Sequence, residues 1–272
     1  KINQFFKKKN FRYIYLLAGQ VAVTKSIIDP LLDLESNLIG TFNVLEAIKK
    51  YNKDAILIYS STNKVYGKLN NLKTIEKNRK YVFRDFPEGI NESHKTDFVT
   101  PYGCSKGAAD LYCQDYSSSF GLKTIVMRQS CIYGPYQLGM EDQGWVAWLT
   151  IAALKNKKIT IYGNGKQVRD LLYVDDLTDA YLLAANNIKQ TNGNFYNVGG
   201  GENNSISILD YIYLLEKILK KKIRYKFDLE RLGDQKVFIS DNSKSYKEYR
   251  WKPKINIEEG VNNMIKWLRK QI

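Results

Sequence analysis

The chain has 272 residues, 44% of them apolar, which is enough to bury one large core or two closely joined ones, and its formal net charge is +14. No uncharged apolar run approaches the roughly 20 residues of a membrane span, the opening Lys1-Ile2-Asn3 begins a stretch too polar for a secretory signal, and Cys104, Cys113 and Cys131 lack the CxxC spacing of a zinc site or disulfide framework. With one histidine, His94, and lysines scattered apart from the helix-end run Lys7-Lys8-Lys9, the expectation is a cytoplasmic protein with no metal, no nucleic-acid partner and no membrane partner.

Taken in chain order, apolar runs alternate with helical periodicity. Tyr13–Leu17 reads as a buried strand entering the loop Ala18-Gly19-Gln20, and Asp33–Tyr51 spaces Leu34, Leu38, Phe42, Leu45 and Ile48 as a helix does. Ala55–Tyr59 reads as a second strand, ending at the hydroxyls Ser60-Ser61-Thr62. A polar stretch, Lys68–Phe98, shows no clear period; a helix over Tyr102–Phe120 and a strand over Thr124–Met127 follow it. Near-continuous apolar strands between helices predict an α/β fold, a doubly wound parallel sheet covered on both faces. Ligands of such sheets collect at the strand carboxyl ends, where Gly19-Gln20, Ser61-Thr62 and Ser130-Cys131 all fall.

Beyond Tyr133-Gly134-Pro135 the pattern is less regular. Gly144 precedes an apolar helix over Trp145–Leu154, and Gly163-Asn164-Gly165 predicts a hairpin of Ile159–Tyr162 with Val168–Val174. Then come a helix over Asp175–Asn186, a strand over Phe195–Val198, a helix over Ser207–Lys220 and a last helix over Ile257–Lys270. The expected organisation is a sheet domain over 1–134 with late elements from 166–200. A smaller, interleaved substrate lobe takes 135–165 and 201–272.

The chemistry concentrates at Tyr102-Gly-Cys-Ser-Lys106. A phenol near its ordinary value of about 10 is a poor base at neutral pH. A lysine one helical turn along is expected to stabilise the phenolate and lower that value. Tyr162/Lys166 and Tyr213/Lys217 share the spacing, but the first spans a turn and the second sits in an ordinary amphipathic helix. Only Tyr102 follows a proline suited to a first helical turn and has a hydroxyl-rich strand end upstream.

With Ser60-Ser61-Thr62, Tyr102-x3-Lys106 and Gln167-Val168-Arg169-Asp170 in place, nearly the whole chain resembles the extended short-chain dehydrogenases/reductases, the NAD-dependent epimerase/dehydratase family acting on nucleotide sugars. Leu17-Ala18-Gly19-Gln20-Val21-Ala22, the string Pro101–Asp110, Asp142-Gln143-Gly144-Trp145-Val146 and the polar insert before Thr100 narrow the resemblance to its CDP-paratose 2-epimerase (CDP-tyvelose epimerase) branch. The resemblance implies a Rossmann-like fold and NAD as cofactor. It also implies a homo-oligomer paired through the helices at Asp33–Tyr51 and Tyr102–Phe120, and C2 epimerisation of a CDP-sugar for O-antigen synthesis through a transient ketone. It implies Thr62, Tyr102 and Lys106 as the catalytic group. Around the cofactor it places Ala18, Gly19, Gln20, Asn37, Ser60, Ser61, Gln129, Ser130 and Cys131, with Tyr102 and Lys106; around the substrate, Asn63, Gln143, Gly144, Trp145, Tyr162, Arg169, Arg231 and Asp234. Asn63-Lys64 stands where the family's dehydratases carry an Asp-Glu pair, which disfavours elimination of water.

One departure stands out. The family opens with a strand and a glycine-rich turn that binds the NAD pyrophosphate, and this sequence has none. The expectation is that about two βαβ units, roughly 60 residues, are absent before Lys1, leaving Tyr13–Leu17 at a sheet edge. Two other readings stay open: a 4-epimerase or reductase on another sugar nucleotide, and a non-catalytic fragment without its cofactor turn.

Overall fold

The computed structural model describes residues 1–231 and 233–272. Its central sheet has four parallel strands: β1 (Tyr13–Leu16), β2 (Ile56–Thr62), β3 (Lys123–Gln129) and β4 (Asn194–Val198), hydrogen-bonded in that order. β2 begins Ile56-Leu57-Ile58-Tyr59 and buries all four side chains. That is possible only because helices cover both faces. On one face α1 (Gly40–Tyr51) and α2 (Thr100–Phe120) bring Leu45, Ile48, Ala109 and Cys113 against Leu57, Tyr59 and Val126. On the other face Ala180, Tyr181 and Ala184, from the helix Val174–Asn186, meet Ile58, Ile125, Met127 and Tyr196. The sheet is doubly wound, as the alternation predicts. β2 and β3 run past their predicted apolar runs, whereas β4 ends at Val198 as expected, so Ser60-Ser61-Thr62 lies inside β2 and Thr62 pairs with Gln129 of β3.

β1 forms one edge of this sheet, and Leu17 just beyond it is 58% exposed. The helix predicted from Asp33 is a composite. A short α-turn runs over Pro30–Asp33, a π-turn over Leu34–Ile39, and α1 continues to Tyr51. π-turns are rare and gather at functional sites.

The second half has its own core. The helix Trp145–Leu154 has the bounds expected and buries nearly every side chain against Tyr211, Leu215, Val261, Met264 and Leu268 of the later helices. The predicted 159–174 hairpin does not form. Ile159–Tyr162 pairs in parallel with Tyr225–Asp228, whereas Val168–Tyr173 pairs with Cys131–Tyr133, Val237–Phe238 and Ser205–Ser207. Gly163 and Gly165 do take the positive φ of a tight turn, 76° and 74°. All six residues of Val168–Tyr173 are buried, however, and a strand buried on both faces needs partners that a hairpin arm cannot supply. Of the segment 166–200, the helix Val174–Asn186 and β4 join the main sheet and Val168–Tyr173 does not. The polar stretch Lys68–Phe98 holds an unpredicted hairpin, Thr74–Lys77 with Lys80–Phe83, anchored by Phe83 among Val65, Tyr66 and Phe238.

No helix among the described residues is long and apolar enough to cross a membrane.

Candidate active site

The site lies where β2 ends and α2 begins. Thr62 leaves the sheet extended, and its hydroxyl accepts the backbone N–H of Lys64 at 3.3 Å, capping the short 3₁₀ turn Asn63–Tyr66. α2 comes down on that turn closely. A Cβ at position 103 would sit 3.2 Å from the Lys64 carbonyl oxygen, so Gly103 permits the approach.

That approach leaves Tyr102 8% and Lys106 5% exposed. Burial pushes the Tyr102 phenol above its ordinary value; the Thr62 hydroxyl pulls it back and the Asp33 carboxylate adds to the rise. The Lys106 ammonium donates to the Ser60 carbonyl and lies 4.3 Å from the centre of the Tyr59 ring. Burial lowers its pKa to about 8, with Cys113, Asp110 and Asp33 acting in the opposite sense. The expected acidification of the phenol by this ammonium is therefore corrected. The two side chains share a helix face, but among the described contacts they make no hydrogen bond, because the flexible lysine stem carries its charge to the strand-end carbonyl.

The residues expected around a cofactor divide into two groups. Gln20 donates its backbone N–H to Asn37 Oδ1 at 2.9 Å, and Asn37 Nδ2 donates back to the Gln20 carbonyl at 3.1 Å. A Cβ on Gly19 would fall 2.5 Å from the same Asn37 oxygen. Ala18, just before, is exposed. Ser60 faces Lys106 through its carbonyl. The remaining side chains at the strand ends are committed inward: Ser61 to Asp110 at 2.8 Å, Gln129 to Tyr181, Ser130 to Asp170, while the Cys131 sulfur accepts from Trp145 Nε1 at 3.4 Å.

All eight residues expected around a substrate line one cavity of about 270 Å³: Asn63, Gln143, Gly144, Trp145, Tyr162, Arg169, Arg231 and Asp234. Gly144 caps the helix Trp145–Leu154 with φ 69°. The buried Arg169 guanidinium donates to Asp234, while Arg231 lies 4.0 Å from the centre of the Tyr162 ring and 3.0 Å from Asp142. Burial works to raise the Asp234 carboxyl, but Arg169 and Lys64 outweigh it and hold it below the usual carboxylate range. A larger cavity of about 510 Å³ under the 74–83 hairpin shares Arg231 and Asp234; Thr62, Tyr102 and Lys106 line neither cavity, and Asn63 and Lys64, directly after Thr62, line the smaller one.

Three residues escape the sequence reading. Lys64, which counts there only against dehydration, lines the same 270 Å³ cavity 3.7 Å from Asp234, and burial lowers its pKa to about 8. Its position directly after Thr62-Asn63 is the available signal. Asp33 and Ser105 form a buried pair beside Tyr102, and nothing in the pattern marks them. His94 sits edge-on to Phe86 in a polar loop, outside the site. Among the described residues no group of His, Cys, Asp and Glu side chains could hold a metal ion.

Residues 1–199 match the family described as NAD dependent epimerase/dehydratase. The chain is 45% identical over 256 residues to CDP-paratose 2-epimerase of Salmonella typhi, covering 92% of this chain and 76% of that protein. It is 29% identical to a putative UDP-glucose 4-epimerase of Methanocaldococcus jannaschii, over 97% of this chain and 80% of that one. Among solved structures it is similar to UDP-glucuronic acid 4-epimerase from Bacillus cereus in complex with UDP-glucuronic acid and NAD, with a TM-score of 0.85 and 26% identity, covering 100% of this chain and 79% of that one. The UDP-glucose 4-epimerase of Thermus thermophilus, in complex with NAD, matches with the same TM-score and identity, over 100% of this chain and 82% of that chain.

Proposed function

The chain belongs to the NAD-dependent epimerase/dehydratase family, and on that footing we propose that it inverts C2 of a CDP-dideoxyhexose, the reaction for which its relative at 45% identity is named. The observation that carries this reading is the turn after β2. Asn63 and Lys64, an amide and a cation, follow Thr62 into the substrate cavity, and neither can serve as the carboxylate acid and base that eliminate water.

A carbinol carbon without an acidic hydrogen is inverted by temporary oxidation, and NAD, when bound, supplies the two-electron acceptor that is reduced and reoxidised in place. The residues of this chain fit the nicotinamide-ribose end of that cofactor. Lys106 has three N–H groups and one observed acceptor, the Ser60 carbonyl, so two remain for ribose hydroxyls. The sequence holds no Gly-x-Gly-x-x-Gly turn, and no residue here is assigned to the pyrophosphate. Tyr102 takes the proton of the reacting sugar hydroxyl and returns it to the inverted one; Thr62 holds that oxygen. Arg169 and Arg231 present planar guanidinium groups to the diphosphate.

The test is a substrate carrying deuterium at C2, followed through one turnover with the reduced cofactor trapped. Deuterium on the nicotinamide is the expected result. Label retained at C2, with loss from a C4-labelled substrate instead, would assign a 4-epimerase.

Two further elements belong to this reading. Phe42 of α1 and Leu111 and Tyr112 of α2 are exposed on one side of the sheet, and these faces are proposed to pair in a homo-oligomer. Sedimentation as a monomer would overturn that. A cytoplasmic setting goes with it, since NAD and a charged nucleotide sugar are both membrane-impermeant.

A further inference from the structure

Asp33 is 0% exposed and has no part in the chemistry derived above. Side chains from three separate segments donate to its carboxylate. Gln20 Nε2 comes from the loop after β1, Asn37 Nδ2 from the π-turn at 3.2 Å, and Ser105 Oγ from α2 at 3.0 Å. Asn37 Nδ2 also lies 3.1 Å from Ser105 Oγ, which closes the cluster. A buried carboxylate is tolerated only when hydrogen bonds fill its lone pairs, and these three do so. Ser105 stands between Tyr102 and Lys106 on the same helix.

We propose that Asp33 is a positioning residue: it locks the loop at Gln20 to the Ser105 turn of α2 and so fixes where Tyr102 and Lys106 present their polar ends. The inference rests on Tyr102 being the base. The same carboxylate bears electrostatically on both groups. Tyr102 faces Thr62 and Tyr59 from β2 and Asp33 from the turn after Pro30; Lys106 faces Ser60 and Tyr59 from β2, Asp110 and Cys113 from α2, and Asp33. Asp33 holds the phenol up and the ammonium up. Removing that charge lets each lose its proton at lower pH.

The experiment compares Asp33→Asn with Ser105→Ala in the NAD-loaded enzyme. Asp33→Asn is expected to move both limbs of the kcat–pH profile toward acid, whereas Ser105→Ala, which deletes a donor but no charge, lowers the profile without displacing it. A readout free of turnover is 13C NMR of tyrosine labelled at Cζ, with the Tyr102 resonance assigned by its loss in Tyr102→Phe. In Asp33→Asn it titrates at lower pH; an unmoved titration overturns the electrostatic half of the inference, whatever the catalytic role of Tyr102. Gln20→Ala leaves the carboxylate in place and frees the loop. It is expected to weaken the Kd for NAD roughly tenfold, as for one lost charge-assisted hydrogen bond. An unchanged Kd overturns the clamp, and this arm stands even where Asp33→Asn fails to fold.

Discussion

Lys106 donates its ammonium proton to the carbonyl of Ser60, so the helix that carries the proposed base is tied by its own lysine to the strand that carries Thr62. The two elements proposed to carry the catalytic groups are held in register by a bond that uses one of three donors. The phenol is left to the hydroxyl of Thr62, which opposes the effect of burial.

Tyr102→Phe tests the base directly. The variant keeps the ring and its packing, so circular dichroism should be unchanged while kcat falls by about 10²–10⁴, the range for general acid–base catalysis. Near-normal turnover would remove Tyr102 from the mechanism. In the unaltered enzyme, activity is expected to climb with pH on the acid side, because the phenol lies above its ordinary value and must ionise.

Lys64 should give substrate binding a pH dependence. Burial depresses its pKa to about 8, so its charge is fully present well below that value and is lost as pH rises through it. Affinity for the anionic nucleotide sugar, followed by calorimetry from about pH 6 to about pH 9, is therefore expected to weaken across the upper part of that range. Lys64→Arg keeps its charge throughout and should flatten the curve. A curve that stays steep in Lys64→Arg assigns the effect to another group.

The pair Arg128–Asp110 is a stability site behind the active one. Arg128 Nε and Nη2 reach the Asp110 carboxylate at 2.9 and 3.3 Å, with both side chains almost wholly buried. Asp110→Asn leaves the guanidinium without its counter-charge and should cost about 3–5 kcal/mol in urea unfolding. The Ser61 hydroxyl bonds the same carboxylate, so the end of β2 is expected to loosen as well.

Gly107 marks a close contact with a loop. A Cβ there would lie 2.3 Å from Cε1 of Phe98, the last residue of the polar stretch before α2. Gly107→Ala should destabilise the fold by about 1–3 kcal/mol through overpacking. Adding Phe98→Leu should restore part of that loss, a coupling that a double-mutant cycle measures.

Much of the architecture is legible because burial writes long, uninterrupted signals. Trp145–Leu154 is apolar at every position but Thr150 and its bounds follow from the pattern to the residue, and those of the helix at Pro101 to within two. The 159–174 segment misleads for the complementary reason. Its glycines announce a turn, which is a local fact, whereas the partners of Val168–Tyr173 lie at 131–133, 205–207 and 237–238, which only the fold brings together. The Tyr102–Lys106 spacing correctly predicts a shared helix face; it does not say where a four-carbon stem delivers its charge. Lys64 is visible in the sequence, but there it speaks only for what it excludes. Asp33 reads as a helix start, because a π-turn leaves no mark on hydrophobic periodicity.

That π-turn sets a rule for what the chain can tolerate. Leu34–Ile39 carries one residue more than an α-helix needs per turn, and it sits between Asp33 and the uninterrupted helix from Gly40. The wide turn absorbs that residue, so Asp33 and the helix from Gly40 keep their phase around the axis, and Asn37 within it reaches both Asp33 and Ser105. Deleting a single residue there would let the turn relax to ordinary α geometry with both flanks still in phase, and the change would fall on the side chains inside the turn. Asn37 would be drawn off Asp33 and Ser105, so the expected loss is of this cluster and not of the helix.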